Sequence, residues 1–289
     1  MGFYMQLSMK FFGKLVEPYV DYFSDLKNEL KQAKLGMSVE EYLSIALMTS
    51  FLVFVIELPL IALILALLRL GFLFSFITAI TVSIAFPIIF FLAFINYPKF
   101  VIRDRIKNIE ISFPFATTYL STIASSNLPP HRIFKIFSKF EEYGEVTKEA
   151  KNIVADVELF GMDVNTAIEK AADRTPSKNL KEVLWGMLST IKSGGDLGEY
   201  LRNKTKALLD EYRRKLYEFS HSLTVYMEVY LTALVIGAIF FIILTSVMSG
   251  MAGGSVNLVF LQFIIVFFII PLISIAFIVV VKTISPGGE

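Results

Sequence analysis

The feature that most constrains this chain is the placement of its apolar runs: two precede and two follow a charged block covering residues 99–221. The runs occupy residues 43–68, 70–96, 223–248 and 258–281. Each exceeds the ~20 residues that a helix needs to cross a hydrocarbon core of roughly 30 Å. A chain of 289 residues with 28 Phe and a mean hydropathy of +0.64 carries too much apolar surface for an ordinary soluble domain. The expected fold class is an all-α integral membrane protein. Four transmembrane helices in two pairs would flank a cytoplasmic antiparallel helical bundle. The expected boundaries are an amphipathic N-terminal region at 1–42, two spans at 43–96, the bundle at 97–222, two spans at 223–282 and a short tail at 283–289.

Lys and Arg placement sets the orientation. Lys99, Arg103, Arg105 and Lys107 follow the second run, Arg213, Arg214 and Lys215 precede the third, and Lys282 follows the fourth. The opposite side offers only Arg69, in the Arg69-Leu70-Gly71 hinge. The positive-inside rule then puts both termini and the charged block in the cytoplasm of a multi-pass protein of the cell (inner) membrane.

The first forty residues are charged and amphipathic and read without a cleavable signal peptide. Pro18 is expected to break this stretch, leaving a helix from Tyr19 whose apolar face packs on the protein rather than sensing lipid. Ser38-Val-Glu-Glu41 matches a capping box, so a helix starts there and enters the bilayer near Leu43.

The charged block reads as short amphipathic helices separated by Gly and Pro. Ile153, Val157 and Phe160 recur at helical spacing until Gly161 ends the run. Asp163 is placed to cap a helix lined by Val164, Ala167, Ile168 and Ala171. Thr175-Pro176 breaks the pattern, and Leu180, Val183, Leu184, Met187, Leu188 and Ile191 form the next stripe. Ser193, Gly194 and Gly195 close that helix, and Asp196 caps another. From Leu197 there is no Gly after Gly198, and no Pro, before Gly237. A helix over 197–247 would be roughly 75 Å long and would join the block to the third span.

Catalytic chemistry finds no support in these residues. There is no Gly-x-x-x-x-Gly-Lys run to cradle phosphates and no His-Glu-x-x-His metal motif. With no Cys and only His131 and His221, no thiolate site or metal cluster is expected, and no cofactor. A net charge of +1, with no aromatics interleaved among the cations, argues against nucleic acid. Arg202, Lys204, Lys206, Arg213 and Arg214 fit topology and a solvated helix face, with attraction to lipid headgroups near the membrane. Two carboxylates fall inside apolar runs. Glu228, one to two turns inside its run and close to the interface, reads as structural. Glu57 lies mid-run beside Pro59, where freed carbonyls can join it in a polar site.

Pro98-Lys-Phe, Ile109-Glu-Ile-Ser-Phe-Pro114, the Leu128-Pro-Pro130 turn, Gly161-Met-Asp-Val-Asn-Thr-Ala-Ile168 and Ser193-Gly-Gly-Asp-Leu-Gly-Glu-Tyr-Leu201 together resemble the type II secretion F domain. That domain occurs in platform proteins of type II secretion systems, type IV pili, Tad pili and archaella. The resemblance covers residues 98–212 and the flanking runs, carried by the order and spacing of motifs rather than by any one of them. The stretch from Ala33 to Leu43 is similar to archaeal members. Asn127 stands where many members have Gly, a turn position that Asn tolerates. One domain is visible where archaellum platform proteins carry two, which implies a homodimer or a paralogous second platform subunit.

The resemblance implies a non-catalytic membrane platform that couples a cytoplasmic hexameric secretion ATPase to extraction of pilin-like subunits and filament assembly. Arg202, Lys204, Lys206, Arg213 and Arg214 become candidates for ATPase docking, and Glu57 for contact with a pilin. Asn127, Gly161, Gly194 and Gly195 become structural turns. The competing class is a small transporter or channel using Glu57 and Glu228. The runs lack the matched Gly/Pro interruptions expected of one.

Overall fold

The computed structural model describes residues 2–67, 71–126, 128–251 and 256–284. The hinge residues Arg69 and Leu70, Asn127, residues 252–255 between the last two runs, and the tail beyond 284 lie outside the described residues. There is no strand among those described, and the protein is an all-α membrane protein. Among the described residues, four helices are long and apolar enough to cross a membrane: Val39–Leu65, Phe76–Ala124, Leu197–Met251 and Phe260–Thr283. Chain contacts divide the protein into two units, Met1–Leu201 and Arg202–Glu289.

The first unit opens with helix α1 (Gly2–Val16), a 3-10 turn over Glu17–Phe23 and α2 (Ser24–Ala33). This corrects the expected N-terminal region. The chain is already helical before Pro18, and the stretch from Tyr19 is a tight 3-10 turn, because proline at a helix start needs no N–H partner. Val16, Leu26, Leu30, Val39, Tyr42 and Leu43 make a small apolar core here. The capping box forms: Ser38 N donates to Glu41 Oε2 at 2.7 Å and Glu41 N to Ser38 Oγ at 3.2 Å. Helix α3 follows, Val39–Leu67.

Helix α4 (Phe72–Ala124) runs for 53 residues through Pro87, Pro98 and Pro114. The second run therefore does not end in a helix stop at 96, and the charged block begins inside a helix. An internal proline withholds the donor that the carbonyl four residues back requires. For Pro98 that carbonyl belongs to Phe94, and the Tyr42 hydroxyl of α3 donates to it at 2.7 Å. A hydrogen bond from 52 residues upstream thus satisfies the group that the proline frees and ties the two spans together.

The rest of the unit is a set of short helices, α5 (Pro130–Phe137), α6 (Glu145–Glu158), α7 (Val164–Arg174) and α8 (Lys178–Lys192), and the start of α9 (Leu197–Tyr230). Of these, α5, α6 and α8 pack on α4, and α7 packs on α6 and α8. Ile109, Phe113, Phe137, Ile153, Ile168 and Met187 are all buried. Asp163 accepts from Asn165 N at 2.9 Å, and Asp196 from Gly198 N at 2.8 Å and Glu199 N at 3.1 Å. Ser177, just after Thr175-Pro176, caps α8 through Leu180 N at 3.1 Å. One member of the expected stripe is misplaced. Phe160 lies beyond the end of α6 and is 70% exposed beside Leu159, because the helix stops two residues short of it.

In the second unit, the remainder of α9 is followed by a π turn at Leu231–Ile236 and by α10 (Gly237–Met251). Helix α11 (Val256–Ile264), a π turn at Ile265–Ile269 and α12 (Ile270–Ile284) complete the chain. The second π turn immediately precedes Pro271, where a wider coil accommodates the missing donor. Polar contacts join these helices inside the apolar zone. Gln262 Nε2 donates to Ile242 O and Ser246 Oγ, both at 3.0 Å, and the Tyr230 hydroxyl lies 3.1 Å from Ser274 Oγ.

Candidate functional site

Charge inside the first unit is concentrated at one carboxylate. Glu149, on α6, is 2% exposed. Its Oε1 takes Arg105 Nη2 at 2.8 Å and Lys34 Nζ at 2.9 Å, and its Oε2 takes Arg174 Nη2 at 3.0 Å. Arg105, itself buried, also donates through Nε to Glu145 Oε2 at 2.9 Å and through Nη1 to the Gln32 carbonyl. Next to this group, Asp156 Oδ1 pairs with Lys170 at 2.7 Å, while its Oδ2 makes no hydrogen bond and faces Arg174 at 3.9 Å. Four helices meet here: α2 through Gln32 and its cap Lys34, α4 through Arg105, α6 through its carboxylates, and α7 through Arg174.

Each group arrives for a local reason. Lys34 takes the left-handed conformation, φ 56°, that closes α2, with its N–H on the Leu30 and Lys31 carbonyls. A residue with a Cβ adopts that conformation at a cost of about 1–2 kcal/mol, which contact with Glu149 offsets. Arg174 is the last residue of α7 and is held there by the Thr175-Pro176 break. Burial by itself would raise the Glu149 pKa. The charges of Lys34, Arg174 and Arg105 outweigh it and hold the carboxyl below its ordinary value. Glu145 is likewise lowered: Lys148 and Arg105 overcome its desolvation. A second anchor lies further along α4. Glu110 accepts from the Ser177 hydroxyl and from Asn179 Nδ2, both at 2.6 Å, and so fixes the start of α8.

The residues singled out from sequence are scattered relative to this hub. Glu57 lines a cavity of about 560 Å³ between α3 and α4 with Val53, Ile56, Leu60, Val82 and Phe86, and its buried Oε2 has no hydrogen-bond partner. Helix α3 continues through Pro59. Glu228 is exposed on α9 in the second unit. Arg202 and Lys206 are exposed and Lys204 is half-buried. Arg213 faces Asp210 and Arg214 faces Glu218, each at 3.8 Å on the helix surface. Gly161 and Gly194 have φ of 65° and 71°, and Gly195 N donates to the Thr190 carbonyl at 2.9 Å. His131 and His221 are both exposed. Among the described residues, no group of three or more His, Cys, Asp or Glu could hold a metal ion.

Sequence reasoning passed over Glu149, Glu145, Asp156, Arg174 and Lys34, and treated Arg105 only as a topology signal. A clue was available. On α6, Glu145, Glu149, Asp156 and the apolar Val146, Ile153 fall on overlapping faces at 3–4-residue spacing. Carboxylates on the core side of an amphipathic helix require partners.

Residues 116–245 match the family described as type II secretion system (T2SS), protein F. Over this stretch, less than half of the chain, the all-α membrane protein is similar to the type II secretion F domain. Its relatives are archaeal. The chain is 27% identical to an uncharacterized protein of Methanocaldococcus jannaschii over 157 residues, 54% of this chain and 26% of that protein. It is 26% identical to flagella accessory protein J of the same organism over 180 residues, 62% of this chain and 32% of the relative. It is 25% identical to flagella accessory protein J of Methanococcus voltae over 167 residues, 57% and 30% of the two chains. The matched stretch thus spans about a third or less of these relatives' own length. No solved structure matches.

Proposed function

We propose that this chain is a non-catalytic platform subunit of a type IV pilus-like or archaellum-like assembly machine in the cell membrane. In this reading it couples a cytoplasmic hexameric ATPase to the extraction of pilin-like subunits and to filament growth. The observation that carries it is the F-domain match over 116–245, together with two relatives named as flagella accessory proteins. The architecture supports it. A charged helical block at 97–222 lies in the chain between paired spans at 43–96 and 223–282, with the N-terminal region at 1–42 and a tail at 283–289. The Lys and Arg distribution favours a cytoplasmic location for the block and both termini.

The mechanism follows from stiffness. ATPase movement is received by the block, with Arg202, Lys204, Lys206, Arg213 and Arg214 as docking residues, and passes along α4 and α9, each of which continues from charged into apolar sequence. Glu57, an intramembrane carboxylate with an unpartnered oxygen, offers a contact for a cationic or donor group on a pilin-like subunit. A homodimer or a paralogous second subunit would complete the platform. The transporter reading is less favoured, because Glu57 is the single ionisable residue among those lining its cavity.

The test is direct binding between the full chain in detergent and a hexameric secretion ATPase from the same genome, with turnover followed in parallel. Saturable binding that changes turnover, and that weakens on charge reversal of Arg202, Lys204 and Lys206, supports both platform and dock. Binding that survives the reversal moves the dock elsewhere. Absence of binding at low salt by a well-folded sample overturns the coupling.

A further inference from the structure

Helix α1 lies antiparallel to the start of α3. Val16, at its end, shares an apolar core with Val39, Tyr42 and Leu43, and the Tyr4 hydroxyl, near its beginning, is 2.9 Å from Thr49 Oγ1. Going backwards along α1 therefore means going forwards along α3, away from its capped start and into the apolar sequence. Because the α3 span begins at Val39, the level of Thr49 is about 15 Å along it.

The charge of α1 is sorted along the same axis. Gly2 to Met9 carry no Lys, Arg, Asp or Glu, and the two cations of the helix, Lys10 and Lys14, lie at the end nearest Glu40 and Glu41. The helix also has two faces. Ser8, Gly13 and Val16 are buried, whereas Phe3 is 80%, Phe11 62% and Leu15 61% exposed. Large side chains on an outer face beside a membrane span face acyl chains rather than water. The exposed Tyr19 and Tyr22 follow in the 3-10 turn, beyond the charged end of α1, where aromatic residues suit an interface. A cavity of about 760 Å³ runs from the tip of α1, at Tyr4 and Met5, to the turn at residues 35–37, with Tyr42, Ile45, Phe90 and Phe94 of the spans among its walls. Such walls suit a hydrocarbon chain.

We infer that α1 is a membrane-embedded wedge. Its uncharged half enters the bilayer beside α3, with acyl chains covering Phe3 and filling the cavity under Tyr4, while Lys10 and Lys14 stay at headgroup level. This surface is a lipid contact that adds a partial membrane element to the four spans. It makes the N-terminal region more than a cytoplasmic appendage.

The experiment uses the full chain in phosphatidylcholine–phosphatidylglycerol vesicles. Phe3→Trp and Phe11→Trp are made separately on a Trp185→Phe background, since Trp185 is the one native Trp. Quenching by lipids brominated near the headgroup or deep in the chain then reports depth. The wedge predicts that Phe3→Trp lies deeper than Phe11→Trp by about 12 Å, the rise over eight helical residues. Equal, shallow depths would show a helix lying flat on the surface, and no quenching would show one outside the lipid; either overturns the inference. Should a Trp variant fail to incorporate, the absence of native Cys allows a second route. A thiol in Gln6→Cys should resist N-ethylmaleimide until detergent is added, and one in Lys14→Cys should react at once. Equal reactivity would overturn the wedge.

Discussion

Removing the Glu149 carboxylate should loosen α2 from the charged block. The change Glu149→Ala leaves three cations facing a site built for one anion, and breaking a buried ion pair on one side costs about 3–5 kcal/mol. The structure places the cost at the low end. The Lys34 and Arg174 side chains are 29% and 22% exposed and can rehydrate, while Arg105, 9% exposed, retains Glu145 and the Gln32 carbonyl. A loss of about 3 kcal/mol corresponds to a roughly hundredfold rise in opening. Since Gln32 and Lys34 close α2, the opening should appear first there. Amide hydrogen exchange on the full chain in detergent reads it: residues 26–33 should exchange roughly a hundredfold faster, while the buried amides around Met187 in α8 barely change. The variant Arg105→Met should accelerate the same amides less, because Glu149 keeps Lys34 and Arg174. If Glu149→Ala leaves α2 protection unchanged, or speeds all helices equally, the hub does not hold α2 and the reasoning fails.

Other consequences can be checked alongside it. Glu145 and Glu149 are held below their ordinary pKa, so the stability they provide is present above the unfolded carboxylate value and is lost as pH falls through the lowered folded values. Protection of α2 should thus be flat from pH 7 to about 5 and decline below the ordinary carboxylate pKa, about 4; a decline already complete at pH 6 would contradict this. Tyr42→Phe removes the donor on Phe94 O and should cost about 1 kcal/mol, seen as faster exchange at the amides around residue 98. At Gly198 a Cβ would stand 3.1 Å from Ser125 Cα and 3.2 Å from its N. Gly198→Val should therefore destabilise the start of α9 against α4 by about 1–3 kcal/mol, measurable as a lower thermal midpoint. Glu57→Gln should leave the protein folded yet reduce filament assembly in cells; full assembly would show that its ionised form is not needed.

What sequence conveyed well was whatever is decided within a few residues. The Ser38–Glu41 box, the Asp163 and Asp196 caps and the Thr175-Pro176 break each depend on neighbours at spacings of two to four, and each forms as its local chemistry dictates. The long apolar runs were equally readable, because crossing hydrocarbon is a property of length and composition. Phe160 shows the limit of periodicity. It keeps the helical spacing of Ile153 and Val157, yet α6 ends first, and the left-handed Gly161 turns the chain away. Pro98 shows the limit of local breaking rules. A proline reads as a stop, yet α4 continues through it, and a tyrosine on another helix satisfies the carbonyl it frees. The hub fell outside view for the same reason, since Lys34, Arg105, Glu149 and Arg174 gain meaning only when four helices converge.

Two of these long-range features lie on the same helix, and together they suggest how α4 works. Near the membrane end, Tyr42 satisfies Phe94 and joins α3 to α4; about three turns further on, Arg105 clamps α4 to α2 and α6. Between them stand Pro98, where the helical ladder lacks a donor, and Lys99, which reaches Glu29 of α2 at 3.7 Å. An isolated proline in a helix is where bending is easiest. Here it is bracketed on both sides by contacts to α2 and α3, so the bend is held rather than free. A force applied to the charged block would therefore reach the first pair of spans through a splinted joint. Removing the splint at one end, by Tyr42→Phe or by Arg105→Met, should soften the joint, and removing both should cost more than the sum of the two, because either contact alone still limits the bend. Strict additivity in a double-mutant cycle on exchange around residue 98 would mean that the two contacts act independently and that Pro98 is not a joint between them.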